Sequence, residues 1–479
     1  MSEDKEKLLM YQERIKNDPD FYCKSVLGDT LWKKQIEIAE AVRDYPRVTV
    51  KSSHASGKTF IAARIVLNFL YSYTNSIVLT TAPSFRQVEE VLWQEIRSAF
   101  NNARCPEVMT GDIFQTKLTI SDGWFAVGLS TDDSNKFQGY HASHLLAICD
   151  EASGIEKQIY DAIEGAISTE HARILLIGNP TDPTGYFADT FKSDLYKKFT
   201  ISCFDTPNFV SLTNIEALKN STEEQRKKAV THPYLITPQW AYERMFEWGV
   251  ESPLFQARVL GQFPTEADDT LIALRYAEKA CEREDANGNV KLREGDDWQI
   301  GLDIARFGTD RSAFVVRHGN EVVDIVWYQK EDTMQIVGRA ISYLRKYPEA
   351  KMYIDEIGLG AGVVDKLVEN DEFRERVVGV NVSNKTTDTE NEKFVNLRAK
   401  IYWNLRNKFM NNKIILLDKG SMISDLTNIK YRFRSSDGAL QIESKEEIKK
   451  RGLRSPDLSD SLALSFCELD APEPNIIWI

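Results

Sequence analysis

RVTVKSSHASGKTFIAARIVLNFL, residues 47–70, decides the fold. A short β-branched run, RVTVK, enters a loop of small residues, and the loop opens an apolar helix. Strand, loop and helix in that order are the context a phosphate-binding loop requires. Backbone N–H groups at Ser53, Ser56 and Gly57 are candidates to face phosphate oxygens, and the helix N-terminus adds positive potential. Lys58 is placed to reach the β and γ phosphates of ATP, and Thr59 to ligate Mg²⁺. The first position of the pattern GxxxxGK[ST] is Ser52 instead of glycine.

Outward from this loop, short apolar runs alternate with helical periods: SIVLTT at 76–81, GWFAVGL at 123–129, LLAICD at 145–150 and ARILLIG at 172–178. FTISCF at 199–204 offers a last strand. The alternation predicts a parallel sheet covered by helices. LLAICDEAS ends in Asp150-Glu151. A carboxylate at a buried strand tip can hold Mg²⁺, and a neighbouring Glu can orient the attacking water. The plain alternative is an acid pair that caps a helix after a core strand. ILLIGNP places Asn179 at another strand tip, where it can sense the γ-phosphate or form an ordinary turn exit. Upstream, Trp32 and Gln35 suit stacking on adenine and reading its edge, or packing of their helix.

Residues 205–270 lose the rhythm and read as polar helices broken by Pro207, Pro233, Pro238 and Pro253. A second block begins at Trp298 and predicts three strands, helix, strand, helix, strand, helix, with a turn at Gly319-Asn320. Asp303 lies in the first strand, Asp355 ends the fourth, and Asp457 and Asp460 begin the last helix. That is the pattern of an RNase H-like nuclease with a mixed sheet. Phosphodiester cleavage needs an activated water and a stabilised leaving oxygen, which two divalent ions about 3.5–4 Å apart can provide. Such ions take hard oxygen ligands, which carboxylates supply. A buried apolar strand seldom carries an unpaired acid, so Asp303 is the most informative residue of this block. Asp310 is a further candidate ligand or a turn residue, and Asp457 can also be read as part of a Ser-Pro-Asp helix start. Lys445, Lys449, Lys450 and Arg451 form a basic run before Asp457, suited to gripping backbone phosphate, or simply a solvated face.

Composition narrows the classes. The 479 residues, at roughly 150 per domain, predict two or three units. A net charge of −12 excludes a basic nucleic-acid coat, though not an enzyme with local basic clusters. The six cysteines are scattered without a CxxC pair, which speaks against a zinc site or disulfide framework. No apolar run approaches the ~20 residues of a membrane span, and the charged N-terminus does not read as a signal peptide.

Taken together, the Ser52–Thr59 loop, the Asp150-Glu151 strand end, the GNP strand end, DIARFGTDRS, YIDEIGLGAG and SKEEIKKRGLRSPDLSDSLALSF resemble the large terminase subunit of tailed bacteriophages. The likeness spans about residues 25–470. It implies an α/β chain: an N-terminal P-loop ATPase of the ASCE type over 1–204, a linker or lid subdomain over 205–275, an RNase H-like nuclease over 276–470 and a tail over 471–479. It implies ATP-driven packaging of double-stranded DNA into a procapsid and metal-dependent cutting of the concatemer. Mg²⁺ is the implied cofactor, with Mn²⁺ an alternative at the nuclease. Lys58 and Thr59 match the loop residues, Asp150 and Glu151 the Mg²⁺ ligand and water-orienting base, Asn179 the coupling motif, and Asp303, Asp355 and Asp457 the nuclease acids. Implied partners are the portal protein, a small terminase subunit and further copies in a ring, commonly five, docked on the procapsid in the host cytoplasm. The positive finger such motors need is unassigned, with Lys136 and Arg104 as candidates. An ATP-dependent helicase or remodelling enzyme with a structural C-terminal block is the alternative reading.

Overall fold

The computed structural model describes residues 10–11, 13–130, 137, 139–167, 169–264, 269–284, 289–305, 310–386, 393–434 and 438–467. Lys136, the Arg306–Thr309 part of DIARFGTDRS and the tail 471–479 lie outside the described residues. The chain divides into two compact units. The first comprises Met1–Phe246, Pro253–Thr265 and Glu284–Val290. The second comprises Glu247–Ser252, Glu266–Arg283 and Lys291–Ile479. Residues 205–246, read from the sequence as the start of a linker, group with the first unit.

The first unit is built on eight strands: β1 (Arg47–Ser52), β2 (Ile77–Thr81), β3 (Asp112–Ile113), β4 (Lys117–Ser121), β5 (Trp124–Gly128), β6 (Leu145–Asp150), β7 (Ala172–Gly178) and β8 (Lys197–Ile201). Their order is β3-β4-β5-β2-β6-β7-β1-β8. Pairing from β5 through to β8 is parallel, and β3 and β4 close one edge as an antiparallel hairpin. The central strands are apolar on both faces because helices cover both. Alternation separates the two faces. Val48, Val50, Val78, Leu146, Ile148, Leu175 and Ile177 join one core, while Leu79, Leu145, Ala147, Cys149, Ile174 and Leu176 join the other. The register sets Val50 beside Ile177 and Ile177 beside Asp150. The C-terminal tips of β1, β7 and β6 therefore end side by side, where ligands of open α/β sheets gather.

The second unit holds β9 (Trp298–Asp303), β10 (Ser312–His318), β11 (Glu321–Tyr328), β12 (Lys351–Asp355) and β13 (Val377–Val380) in the order β11-β10-β9-β12-β13. β10 runs antiparallel to β9 and β11, while β9, β12 and β13 are parallel, as a mixed RNase H-like sheet requires. One core packs Ile300, Leu302, Phe314, Val316, Met352 and Ile354 beneath the helices Thr333–Lys346 and Leu359–Val368. The last helix, Asp457–Ser465, covers the opposite side of the sheet against β9 and β10. Gly301 permits this approach. A Cβ there would lie 1.8 Å from the Ser461 carbonyl oxygen, and Ser461 Oγ donates to the Gly301 carbonyl at 2.7 Å. Any side chain at 301 would push the helix, and its acids, off the sheet.

Candidate functional site

At the tips of β1, β6 and β7, Lys58, Thr59, Asp150, Glu151 and Asn179 meet. The Lys58 ammonium lies 2.9 Å from Glu151 Oε1 and donates to Asn179 Oδ1 at 3.3 Å. Thr59 Oγ1 donates to Asp150 Oδ2 at 3.0 Å. Asp150 Oδ1 accepts the Glu151 backbone N–H at 3.0 Å. Asn179 Nδ2 donates to the Ser52 carbonyl at 2.6 Å, and the Asn179 carbonyl accepts Ser153 Oγ at 2.6 Å. Asn179 thus ties the entrance of the phosphate loop to the turn that follows Glu151.

Backbone strain marks the same place. Ala55 and Glu151 have φ of 46° and 48°, a region non-glycine residues rarely adopt. Burial alone would pull the Lys58 ammonium down, but Glu151 and Asp150 outweigh it and hold the pKa above its ordinary value. Burial, helped by Glu151 and opposed by Lys58, raises the Asp150 carboxyl to about 6. The hydroxyls of Ser52, Ser53 and Ser56 are buried without a hydrogen-bond partner. Orphan donors beside a lysine at a helix N-terminus fit an oxyanion. Gln35 stands next to this loop, and its Nε2 donates to the Gly57 carbonyl at 3.1 Å. Arg104, in contrast, donates to the Lys24 carbonyl at 3.1 Å, in the N-terminal segment.

In the second unit the β9–β12 register aligns Leu302 with Ile354, so Asp303 and Asp355 follow as neighbours at the ends of parallel strands. Asp457 and Asp460 come from one face of the last helix, three residues apart. Asp303, Asp457 and Asp460 are buried, and Asp355 is half-buried. Among these acids sits Lys445, from the helix Lys445–Lys450. Its ammonium is 2.9 Å from Asp303, 3.1 Å from Asp460 and 3.6 Å from Asp457.

The acids are split in basicity. Burial raises Asp303 to about 8, against the attraction of Lys445. Burial also works to raise Asp460, but Lys445, Arg398 and Tyr402 overcome it and hold that carboxyl at about 2. Tyr402 Oη donates to Asp460 Oδ1 at 2.7 Å, and the Arg398 guanidinium lies 3.2 Å from the same oxygen. Behind Asp457, Arg311 pairs with buried Asp425 at 3.1 Å, while the Arg311 backbone N–H donates to Asp457 Oδ2 at 2.8 Å.

The donor set, hard and buried carboxylate oxygens, fits divalent cations. Among the described residues no three acids form a ready cage, because they close around Lys445. The other sequence candidates stand elsewhere. Asp310 pairs with Lys449 at 2.7 Å, Arg451 pairs with Glu443 at 2.7 Å, and Lys450 is exposed. Sequence reasoning did not assign Arg398, Tyr402, Arg311 or Asp425 to this site. For Asp460 a signal existed, its spacing of three from Asp457.

The geometry defines a P-loop nucleotide site on one unit and a carboxylate site on an RNase H-like sheet on the other. Residues 51–274 match the family described as "Terminase large subunit, T4likevirus-type, N-terminal". A curated relative, the "Probable terminase, large subunit" of Enterobacteria phage P7, is 24% identical over 484 aligned residues, covering 95% of this chain and 91% of that one. The chain is thus similar to large terminase subunits over 95% of its length, with the family match confined to residues 51–274. Solved structures overlap it loosely. The large terminase of bacteriophage HK97 covers 95% of this chain and 99% of its own at 14% identity, TM-score 0.39. The nuclease domain of the large terminase subunit of bacterial virus Sf6 covers 42% of this chain and all of its own at 20% identity, TM-score 0.37.

Proposed function

We propose that the chain hydrolyses ATP in its first unit to drive double-stranded DNA into a procapsid, and cuts that DNA in its second. The observation that carries this reading is the pair of catalytic constellations on one chain, each at the tips of parallel strands. In the first, Lys58 and the N–H groups at Ser56 and Gly57 bind the β and γ phosphates, while the Ser53 N–H, also expected there, donates to the Ile201 carbonyl at 2.7 Å instead. Thr59 and Asp150 would hold Mg²⁺, which supplies charge neutralisation when bound. Glu151 orients the attacking water and accepts its proton once Lys58 turns to phosphate. Asn179, bonded to both the loop and the turn after Glu151, carries the change in the loop to that turn.

In the second, Asp303, Asp355, Asp457 and Asp460 would hold divalent ions, Mg²⁺ or Mn²⁺, which supply Lewis acidity for water activation and for the leaving oxygen. Arg398 and Tyr402 keep Asp460 ionised and oriented. Lys449, Lys450 and Arg451 lie on the helix and turn just before the acids, where they can meet the DNA backbone. The working boundaries are 1–204 for the ATPase, 205–275 for the lid, 276–470 for the nuclease and 471–479 for the tail. Partners of this activity are the portal protein, a small terminase subunit and further copies of the chain in a ring of five. Among the described residues no helix is long and apolar enough to cross a membrane, and the proposed setting is the host cytoplasm at the procapsid.

The test is cleavage of supercoiled plasmid with Mg²⁺ or Mn²⁺ beside ATP turnover, for wild type, Asp303→Ala and Glu151→Ala. Metal-dependent cutting lost only in Asp303→Ala and turnover lost only in Glu151→Ala support the reading. A folded wild type with neither activity contradicts it.

A further inference from the structure

Six residues inside the stretch read from sequence as a polar linker belong to the second unit. Glu247–Ser252 groups there, while Phe246 and Pro253 on either side group with the first. Trp248 anchors the segment. It is 3% exposed and lies against the start of the helix Gly420–Asn428. A Cβ at Gly420 would stand 2.6 Å from Trp248 Cζ2 and 3.1 Å from its Cε2, so only a glycine lets the indole lie this close. One turn on, Ser424 Oγ donates to the Trp248 carbonyl at 3.3 Å.

The helix that Trp248 seats is buried along its length, yet much of it is polar. Every residue from Ser421 to Asn428 is buried, including Ser421, Ser424, Asp425, Thr427 and Asn428. Buried polar groups keep their places through partners. Here the partners lead to the carboxylate site by two routes. On the first, Asp425 pairs with Arg311 at 3.1 Å and accepts the Leu458 N–H at 3.0 Å, and the Arg311 N–H holds Asp457 at 2.8 Å. On the second, Asn428 Nδ2 donates to Ser424 Oγ at 3.2 Å, and the Asn428 carbonyl accepts from Arg451. Arg451 pairs with Glu443 at 2.7 Å, Arg398 donates to the Glu443 carbonyl at 2.7 Å, and the Arg398 guanidinium lies 3.2 Å from Asp460. One helix therefore supports both acids of the helix Asp457–Ser465, and Trp248 fixes where that supporting helix starts.

We propose that Trp248 is a positioning residue for the carboxylate site: by seating the helix Gly420–Asn428 it sets where Asp457 and Asp460 stand to receive a divalent ion. This rests on reading those acids as a metal-dependent nuclease. The indole acts through the helix and not on the acids themselves. In a close-packed interior a shift at Gly420 is passed along the helix, so Asp425 and Asn428 move together and both routes are disturbed at once. Groups one step behind metal ligands set metal affinity by about ten- to a hundredfold.

The experiment uses the full chain as wild type, Trp248→Ala, Gly420→Ala, the double variant Gly420→Ala with Trp248→Phe, and Asp303→Ala as the blank. Calorimetric Mn²⁺ binding, plasmid cutting across a Mn²⁺ series, ATP turnover and thermal melting are read on the same preparations. Gly420→Ala should weaken Mn²⁺ binding about tenfold and raise the Mn²⁺ needed for half-maximal cutting to match, while cutting at saturating Mn²⁺ stays within about threefold of wild type. The added methyl meets the indole, so the smaller ring in the double variant should bring Mn²⁺ affinity back to within about threefold of wild type. Trp248→Ala should weaken Mn²⁺ binding by about tenfold as well, with ATP turnover unchanged. If that variant does not fold, Gly420→Ala and its rescue decide. Packing alone would scale cutting down equally at every Mn²⁺ concentration, and that result, or wild-type Mn²⁺ affinity in a folded Gly420→Ala, or no rescue by Trp248→Phe, overturns the proposal. A wild type that neither cuts nor binds Mn²⁺ better than Asp303→Ala removes the nuclease reading, and the proposal with it. Mn²⁺ binding that Asp303→Ala abolishes and Gly420→Ala spares removes the role of Trp248 alone.

Discussion

Both sites keep a lysine in contact with acids, but in opposite company. Lys58 meets Glu151 on one side and Asn179 on the other, at the mouth of a loop with three unpartnered hydroxyls. Lys445 meets Asp303, Asp457 and Asp460. The first lysine has one carboxylate in contact, beside three buried hydroxyls that have no partner. The second is surrounded by excess negative charge that it only partly neutralises. An arriving triphosphate would draw Lys58 away from Glu151 and free that carboxylate. An arriving divalent ion would compete with Lys445 for the acids. On the proposed reading, a lysine would await a ligand in one unit and hold a metal's place in the other.

The sharpest way to break this comparison is to remove one acid from each site. Glu151→Ala should lower ATP turnover about a thousandfold, the scale of a lost general base, with ATP binding retained. Asp303→Ala should abolish metal-dependent cutting and leave turnover unchanged. Coupled steady-state turnover and plasmid nicking on the same preparations read both. Loss of both activities in either variant, with melting unchanged, would show that the sites do not act separately.

A smaller effect is expected behind the nuclease acids. Arg311 and Asp425 form a buried pair at 3.1 Å, and Asp425 also accepts the Leu458 backbone N–H at 3.0 Å. Asp425→Ala leaves a buried guanidinium and an unpaired helix donor, so the second unit should lose about 3–5 kcal/mol in chemical denaturation. A loss below about 1 kcal/mol would mean that water or another acid reaches Arg311. Among the described residues the partners of Lys58, Glu151 and Asn179, are themselves the residues proposed to act.

How much of this was legible depends on the range of the signal. Strands β1, β2, β6 and β7 were readable as apolar runs because helices cover both faces, whereas β5 is only partly buried and the edge strand β8 begins at Lys197, two residues before the FTISCF run. The β3–β4 hairpin was not, since Asp112-Ile113 and Lys117–Ser121 form an edge with exposed residues and no apolar run. Lys58 and Thr59 were readable because loop and helix are contiguous, and Asp150 and Asp303 because an acid in a buried strand is conspicuous. The company of Lys445 was hidden. KEEIKKR reads as one basic face, and only the fold singles out the lysine that reaches Asp303, 142 residues away. Arg398, Tyr402 and Asp425 belong to helices whose sequences carry no mark of the acids they serve.

Lys445 tests the placeholder half of the comparison. Lys445→Ala should tighten Mn²⁺ binding by about tenfold in calorimetry, because the metal no longer competes with an ammonium for the acids. Cutting should still fall, since the variant loses a charge beside the scissile phosphate. Unchanged or weaker Mn²⁺ binding would mean that Lys445 organises the acids for the metal instead of standing in its place.

The smallest effect per step is in pH, and it separates the two sites again. Burial raises Asp303 from the ordinary value of 3.8 to about 8, with Lys445 opposing and the neighbouring Asp460 and Asp457 adding to the rise. In the metal-free protein at pH 7 this carboxyl holds a proton that Mn²⁺ must displace. Apparent Mn²⁺ affinity should therefore rise with pH by up to about tenfold per unit and level off above about pH 8. The folded state holds this proton more tightly than the unfolded chain, so the second unit's metal-free stability should fall as pH rises from about 4 to about 8. Asp303→Asn should flatten the stability profile over that window. Asp150 is raised less, to about 6, so metal-dependent nucleotide binding in the first unit should lose its pH dependence about two units earlier. Mn²⁺ titrations of the full chain at pH 6, 7 and 8, with and without ATPγS, resolve the two profiles. A flat profile at the nuclease acids would show Asp303 already ionised, and Lys445 would then be its counter-ion in full instead of sharing that cluster with a proton.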